Sequence, residues 1–371
     1  MSHDVISISL IMKKAINYTY FIGIDVSRNK LDIAVMAGSN FLFHREIKNQ
    51  PDDILILVNE LKLLPKFVMT RAVFCMEATG IYCNHLLSTL KKFQTNVVRE
   101  NPLQILNSLG KIRGKHDKID SMRIANYAYK NRHELVLKAH RRPVIDQLAY
   151  LSALRKRLVA TIKALRTPLK EQQTFINKSI HTQVTALSTS SLKALELDLA
   201  RVNEAIAQVM KDDDKLRHIN TIITSVPNIG QITALQIVIA TNEMRDFSDA
   251  KKFACYAGIA PFRDESGLYK SRPRVSHIAN KEIKALLHLC ALGAIRCNPE
   301  IKAYFLRKTQ EGKPKMSVVN AVRFKLVLRI FACLNQDRCY VKNYERPTQG
   351  IIQKNIETVS DVFIKAEKDI R

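Results

Sequence analysis

The chain has 371 residues, of which 46% are hydrophobic, and its 59 Lys and Arg outnumber 34 Asp and Glu to give a net charge of +25. That length holds two or three domains with real cores, and only 11 Gly and 11 Pro exclude a disordered or low-complexity chain. The basic excess calls for a polyanionic partner, nucleic acid ahead of an anionic membrane surface, because no apolar run approaches the roughly 20 residues of a membrane span.

Cys75, Cys83, Cys255, Cys290, Cys297, Cys333 and Cys339 form neither a CxxC pair nor a disulfide framework, which reads as reduced thiols in a cytoplasmic protein. Residues 1–20 stand apart as an extension. Their apolar run Ile6–Met12 is short and lacks a small-residue cleavage site, and Met12-Lys13-Lys14 offers a second start beside Met1.

Phe21–Ala37, FIGIDVSRNKLDIAVMA, reads as two strands joined by the polar turn Ser27–Lys30. Asp25 interrupts the first strand. A lone acid among apolar residues is costly to bury without a partner, and a metal ion is one such partner; a strand-end cap or a solvated acid is the plainer reading. Asn40–Ile47 continues as a third strand and Asp52–Leu64 has helical spacing. Ala72–Met76 is a buried strand ending at Glu77, broken by Ala78-Thr79-Gly80. Ile81–Phe93 reads as a helix, Asn96–Val98 as a strand and Pro102–Leu109 as a helix. A basic loop, Lys111–His116, then leads into a helix opened by Asp117 and Asp120. Three strands, helix, strand, helix, strand and helix is the order of a ribonuclease H-like α/β domain.

Asp25, Glu77, Asp117 and Asp120 fall where that order gathers acids, the last two one turn apart on one helix face. Such a set can share one or two Mg²⁺ ions for phosphoryl transfer. Taken alone, Asp117 and Asp120 also read as acids favoured by a helix N-terminus.

From Val144 to Arg166, and again from Leu192 to Val209, apolar residues recur at coiled-coil spacing, with breaks expected at Thr167-Pro168 and Ser188–Ser191. This predicts a helical hairpin that bridges subunits or, alternatively, packs into one domain's core. Ile222–Val238, centred on VPNIGQITA, resembles a helix-hairpin-helix in which Asn228 and Gly230 offer backbone N–H groups to a phosphate. A loop over 263–274 follows. There Ser266 is a candidate nucleophile beside Gly267, with Arg263, Lys270, Arg272 and Arg274 as cations for a phosphodiester; a simple Ser-Gly turn is the alternative. From Lys281 to Cys333 the chain reads as basic and helical.

Taken together, GIDVSRNKLDIAV, MEATGIY, KHDKIDSMRIA, VPNIGQITA, YAGIAPFRDESG and RVSHIANKEIKALL resemble the DEDD-type transposases of the Piv-invertase group, insertion-sequence enzymes described as bridge-RNA-guided serine recombinases. The resemblance implies an α/β plus α architecture. Its parts are a junction-resolvase-like ribonuclease H-like domain (21–142), a coiled-coil hairpin (143–217), a mostly helical transposase domain carrying Ser266 (218–345) and a tail (346–371). It further implies Mg²⁺ held by Asp25, Glu77, Asp117 and Asp120, double-stranded donor and target DNA, and a structured noncoding guide RNA. A homo-oligomer is implied as well, a dimer of dimers in which one subunit's acids meet another's serine, acting at the nucleoid of a prokaryotic cytoplasm with no membrane partner. One departure stands out: where the family carries an ISK-basic-Gly segment, this chain has Val275-Ser276-His277-Ile278-Ala279-Asn280. Two other classes stay open. One is a junction-resolving hydrolytic nuclease using only the four carboxylates, and the other a non-catalytic nucleic-acid binder.

Overall fold

The computed structural model describes residues 17–77, 80–108, 116–247, 249–263, 265–266, 269–270 and 273–342, and separates into two units, 1–143 and 144–371. In the first unit, β1 (Tyr20–Val26), β2 (Lys30–Ala37) and β3 (Asn40–Lys48) form an antiparallel meander, followed by α1 (Pro51–Lys62). Then come β4 (Ala72–Glu77), α2 (Asn84–Lys92), β5 (Asn96–Glu100), α3 (Pro102–Ser108) and α4 (Asp117–Lys130). The sheet order is β3-β2-β1-β4-β5, with β4 parallel to β1 and β5 parallel to β4. This is the ribonuclease H-like arrangement that the element order predicts. The expected helix over 81–93 begins at Asn84, because Gly80–Cys83 forms a single 3-10 turn first.

Strand alternation sorts the side chains onto two faces. Ile22, Ile24, Leu31, Ile33, Phe74 and Met76 pack with Ile54, Leu57 and Leu61 of α1 and Leu86 and Leu90 of α2. Phe21, Ala34, Val73, Cys75 and Val98 pack with Ile124, Ala125 and Ala128 of α4 on the other face. A fully buried Phe or Ile of this kind contributes about 1.5–3 kcal/mol. Helix α4 lies directly on β1 at Gly23, where a Cβ would come within 2.2 Å of the Ala125 nitrogen and 2.3 Å of the Ser121 oxygen. The Phe21 and Tyr129 rings meet edge-on at 5.4 Å. The C-terminal part of α4 therefore covers the start of β1, and its N-terminus points toward the end of β1, at Asp25.

The second unit opens with two long helices, α5 (Pro143–Phe175) and α6 (Lys178–Asp212). The breaks expected at Thr167-Pro168 and Ser188–Ser191 are not there, because Pro168 lies inside α5 and the Ser/Thr run inside α6. The hydroxyls of Ser188 and Thr189 bond back to the carbonyls of Val184 and Thr185 at 2.9 and 2.7 Å, which accommodates them in a helix. The reversal falls instead at Asn177, whose side chain accepts from Ser179 N at 2.9 Å and caps α6. At the base of the hairpin Ile145, Leu148, Val202, Ile206 and Met210 join the core of the unit, while Leu187 and Leu197 further along α6 are exposed.

That core is completed by α7 (Asp214–Ser225), α8 (Gln231–Thr241), α9 (Ala250–Tyr256), α10 (Lys281–Cys297), α11 (Pro299–Gln310) and α12 (Lys315–Asn335). Between α9 and α10 the segment expected to be a loop carries four two-residue strands: β6 (Pro261–Phe262), β7 (Glu265–Ser266), β8 (Tyr269–Lys270) and β9 (Arg274–Val275). They pair antiparallel as β6 with β9 and β7 with β8. None of the seven cysteines is in a disulfide. Among the described residues, no helix is long and apolar enough to cross a membrane.

Candidate active site

The alternation that places Gly23 against α4 places Asp25 on the same face, at the end of β1. Across β2 it is directly opposite Asp32. Across β4, Ile24 is in register with Met76, so Asp25 and Glu77 are the next residues along adjacent parallel strands and share a face. Helix α4 brings Asp117 and Asp120 in its first turn, capped by His116, whose Nδ1 accepts from Lys118 N at 3.3 Å. Both acids also suit the positive end of the helix, so capping and site chemistry act together here.

Burial, and then the charges of Asp117, Asp120 and Asp32, hold the Asp25 carboxyl above the ordinary carboxylate range, against one backbone hydrogen bond from Val26 that favours the ionised form. Asp117 pairs with Lys30 Nζ at 2.9 Å and Asp120 with Arg123 Nη1 at 2.7 Å. The same Lys30 ammonium reaches Glu46 at 2.9 Å and Asp32 at 3.2 Å, and these three acids together keep it protonated beyond its usual range. Asp32 is buried and also meets His44 Nε2 at 2.9 Å.

Asp32 is the site residue that sequence reasoning missed. Its signal is an acid at an apolar position of KLDIAV, and it acquires meaning only once the β1–β2 register sets it against Asp25. Glu100, level with Glu77 on β5, is likewise raised by burial and accepts from the Tyr127 hydroxyl at 3.2 Å.

Among the described residues, no three acid, His or Cys side chains converge as a ready metal cage. Asp32, Asp117 and Asp120 are turned toward cations of the chain itself. The donor set nonetheless fits a divalent cation: it consists of hard oxygens, and it surrounds a half-buried Asp25 with negative charge that a cation would relieve.

In the second unit, Val226–Gly230 forms the expected tight turn between α7 and α8. Asn228 has φ of 69°, Ile229 N bonds to Val226 O at 3.1 Å, and Gly230 is the N-cap of α8 with no side-chain cap. Ser266 is exposed on β7, in a strand rather than a loop. Arg263 is exposed, Arg274 is exposed on β9 opposite Phe262, and the backbone of Lys270 belongs to β8. Gly267 and Arg272 lie outside the described residues.

A sheet of this order, with acids at the ends of β1 and β4 and at the start of the helix that crosses them, defines a ribonuclease H-like domain of the kind that cuts or transfers nucleic-acid strands. Residues 22–176 match a DEDD-type family model described as "Transposase", and residues 220–306 match the model "Transposase IS116/IS110/IS902 family". Both matches are to transposases, and with the relatives below they make the chain a DNA transposase or recombinase. It is 26% identical over 87% of its length to 98% of the pilin gene-inverting protein of Moraxella bovis, and 25% identical to that of Moraxella lacunata over the same shares. An uncharacterized 42 kDa protein of insertion element IS900 from Mycobacterium paratuberculosis is 25% identical over 52% of this chain and 48% of its own. Among solved structures, T. thermophilus RuvC in complex with a Holliday junction substrate aligns with 33% of this chain and 100% of its own, at 13% identity and a TM-score of 0.25. The fold assignment therefore rests on the sheet order.

Proposed function

We propose that the chain cleaves DNA strands at junctions formed during movement or inversion of a DNA segment, by divalent-cation-dependent phosphoryl transfer at Asp25, Glu77, Asp117 and Asp120. The observation that carries this reading is the crowding of three other aspartates around the half-buried Asp25. A Mg²⁺ ion held by these four residues would activate the nucleophile and stabilise the leaving oxygen. The chain's own residues do the rest. Strands β1 and β4 fix Asp25 and Glu77, the α4–Gly23 contact fixes Asp117 and Asp120, and Lys30 and Arg123 balance charge while no cation is present. The match of 22–176 to a transposase model supports this carboxylate-centred reading most directly.

A second reading adds Ser266 as a covalent nucleophile. It is favoured by the exposure of Ser266 and by relatives, matched over 98% of their length, whose name is gene-inverting. Inversion requires cut ends to be rejoined, and hydrolysis alone discards the bond energy. In this reading Ser266 Oγ attacks phosphorus and loses its proton, a DNA hydroxyl leaves, and a phosphoserine ester forms. An incoming DNA hydroxyl then reverses the step and releases the serine. Pairing with a structured guide RNA would choose the donor and target duplexes, and α5 and α6 would join subunits into a dimer of dimers.

A trapping assay tests both readings. Protein, flanking noncoding RNA and labelled element-end DNA are mixed with Mg²⁺ and quenched in detergent. Cleavage that is lost in Asp25→Asn and leaves no adduct supports the carboxylate reading alone. An adduct lost in Ser266→Ala and dependent on the RNA establishes the serine step. Cleavage that survives Asp25→Asn would refute the proposal.

A further inference from the structure

Arg323, on α12, is only 7% exposed, yet among the described residues no acid pairs with it. Its Nη1 donates to Asn320 Oδ1 at 3.3 Å and its Nη2 to His288 Nδ1 at 2.5 Å, while its Nε is buried without a partner. Both partners are neutral acceptors. A guanidinium withdrawn from water costs several kcal/mol unless an anion compensates it, so this arrangement is incomplete as it stands.

The surroundings point the same way. His288 must carry its proton on Nε2 in order to accept at Nδ1, which makes this half-buried ring a second donor. Lys284 lies one turn earlier on the same face of α10, with its Cδ packed by Gly258. Asn320 Nδ2 donates to Ile259 O at 2.6 Å, tying this group to the root of the β6–β9 ribbon, where Arg274 is exposed. A cation, an imidazole N–H and a lysine thus gather at the base of a ribbon with exposed arginine, and among the described residues no carboxylate pairs with the guanidinium.

We propose that Arg323 and His288 form a binding site for a phosphodiester of the DNA backbone, with His288 Nε2–H and the Arg323 guanidinium as its donors. The site positions nucleic acid by its backbone and carries no base readout. The choice of DNA over another anion rests on the proposed function and on the net charge of +25.

The test uses the full chain and a labelled duplex without divalent cations, so that binding is read apart from cleavage. Arg323→Met is expected to bind about tenfold more weakly, from loss of one charge-assisted contact, and to lower the slope of log affinity against log salt by about one. Arg323→Lys should keep most of that slope. Inorganic phosphate should raise the unfolding midpoint of the wild type and not of Arg323→Met, whose own midpoint should equal or exceed the wild type's because an uncompensated charge is gone. His288→Ala, which leaves Arg323 in place, should weaken binding several-fold and serves if Arg323→Met does not fold.

Wild-type affinity and salt slope in Arg323→Met would overturn the proposal, even if phosphate still stabilised the wild type, since the site would then take a free anion only. A destabilised Arg323→Met with unchanged DNA binding would equally overturn it, marking an internal structural partner. Failure of the strand-cleavage reading would show separately, as cleavage that persists in Asp25→Asn.

Discussion

Gly23 sets the geometry of the whole carboxylate site, and Gly23→Ala probes it with a single methyl group. The added Cβ would stand 2.2 Å from Ala125 N, 2.3 Å from Ser121 O and 2.8 Å from Ala125 Cα, whereas ordinary contact begins near 3.4 Å. All three obstacles are backbone atoms, so no side chain can rotate away and α4 must lift from β1 by about 1.2 Å. Overpacking of this kind costs about 1–3 kcal/mol. The catalytic cost is larger in proportion, because α4 carries Asp117 and Asp120 against Asp25, and an error near 1 Å in a reacting constellation reduces rates on the order of 10²-fold.

Thermal unfolding followed by circular dichroism gives the first quantity, and Mg²⁺-dependent cleavage of a labelled junction gives the second. Gly38→Ala is the control. Gly38 has φ of +57° with open space around it, so its substitution strains the backbone by about 1–2 kcal/mol and should leave the cleavage rate unchanged. A Gly23→Ala protein with the wild-type unfolding midpoint and rate would refute the close approach of α4 and β1.

Three further expectations follow from named contacts. The Asp25 carboxyl lies above its ordinary 3.8, through burial and then through Asp117, Asp120 and Asp32, so the folded state keeps its proton to higher pH than the unfolded chain. Its contribution to stability therefore falls as pH rises from about 3.8 through the folded pKa. Asp25→Asn should raise the unfolding midpoint at pH 7 without divalent cations while abolishing cleavage, and a lowered midpoint would contradict the sign. Lys30→Met removes the ammonium that competes for Asp117 and should tighten Mn²⁺ binding about two- to fivefold by electron paramagnetic resonance, the range of a half-exposed ion pair; weaker binding would refute competition. Pro168→Ala restores a donor to the Ala164 carbonyl within α5 and should strengthen that helix by about 2–3 kcal/mol, read as slower amide exchange around Ala164.

Much of the first unit is legible because FIGIDV, LDIAV and AVFCM are short apolar runs bounded by polar turn residues, which leaves little choice but buried strand. The same runs put Glu77 at the end of its strand but Asp25 within the first strand, whereas β1 ends one residue after Asp25. Asp32 was hidden because its role depends on which residue stands opposite, and register is a tertiary property. The ribbons around Ser266 have no sequence signature, because two-residue strands are too short to show a period of two. The reversal at Asn177 was misplaced for another reason. Pro168 and the Ser/Thr run have poor helix propensity, but a helix of 33 or 35 residues with a packed base absorbs such local costs.

The two sites share one electrostatic logic with opposite signs. At the end of β1 the fold assembles more negative charge than the chain neutralises: Lys30 serves Asp32, Glu46 and Asp117, Arg123 serves Asp120, and Asp25 remains protonated more readily than a free carboxyl. Between α10 and α12 the fold buries a guanidinium whose hydrogen-bond partners among the described residues are Asn320 and His288, both neutral acceptors. Each is poorly compensated in the protein alone, and a phosphodiester with its divalent counterion carries both signs that are lacking. On the two proposals, neither arrangement contributes well to folding, as befits residues that meet a ligand rather than the core. Relieving either charge should therefore stabilise the free protein and weaken its hold on the bound species. A substitution that lowered both stability and binding would assign the residue to structure.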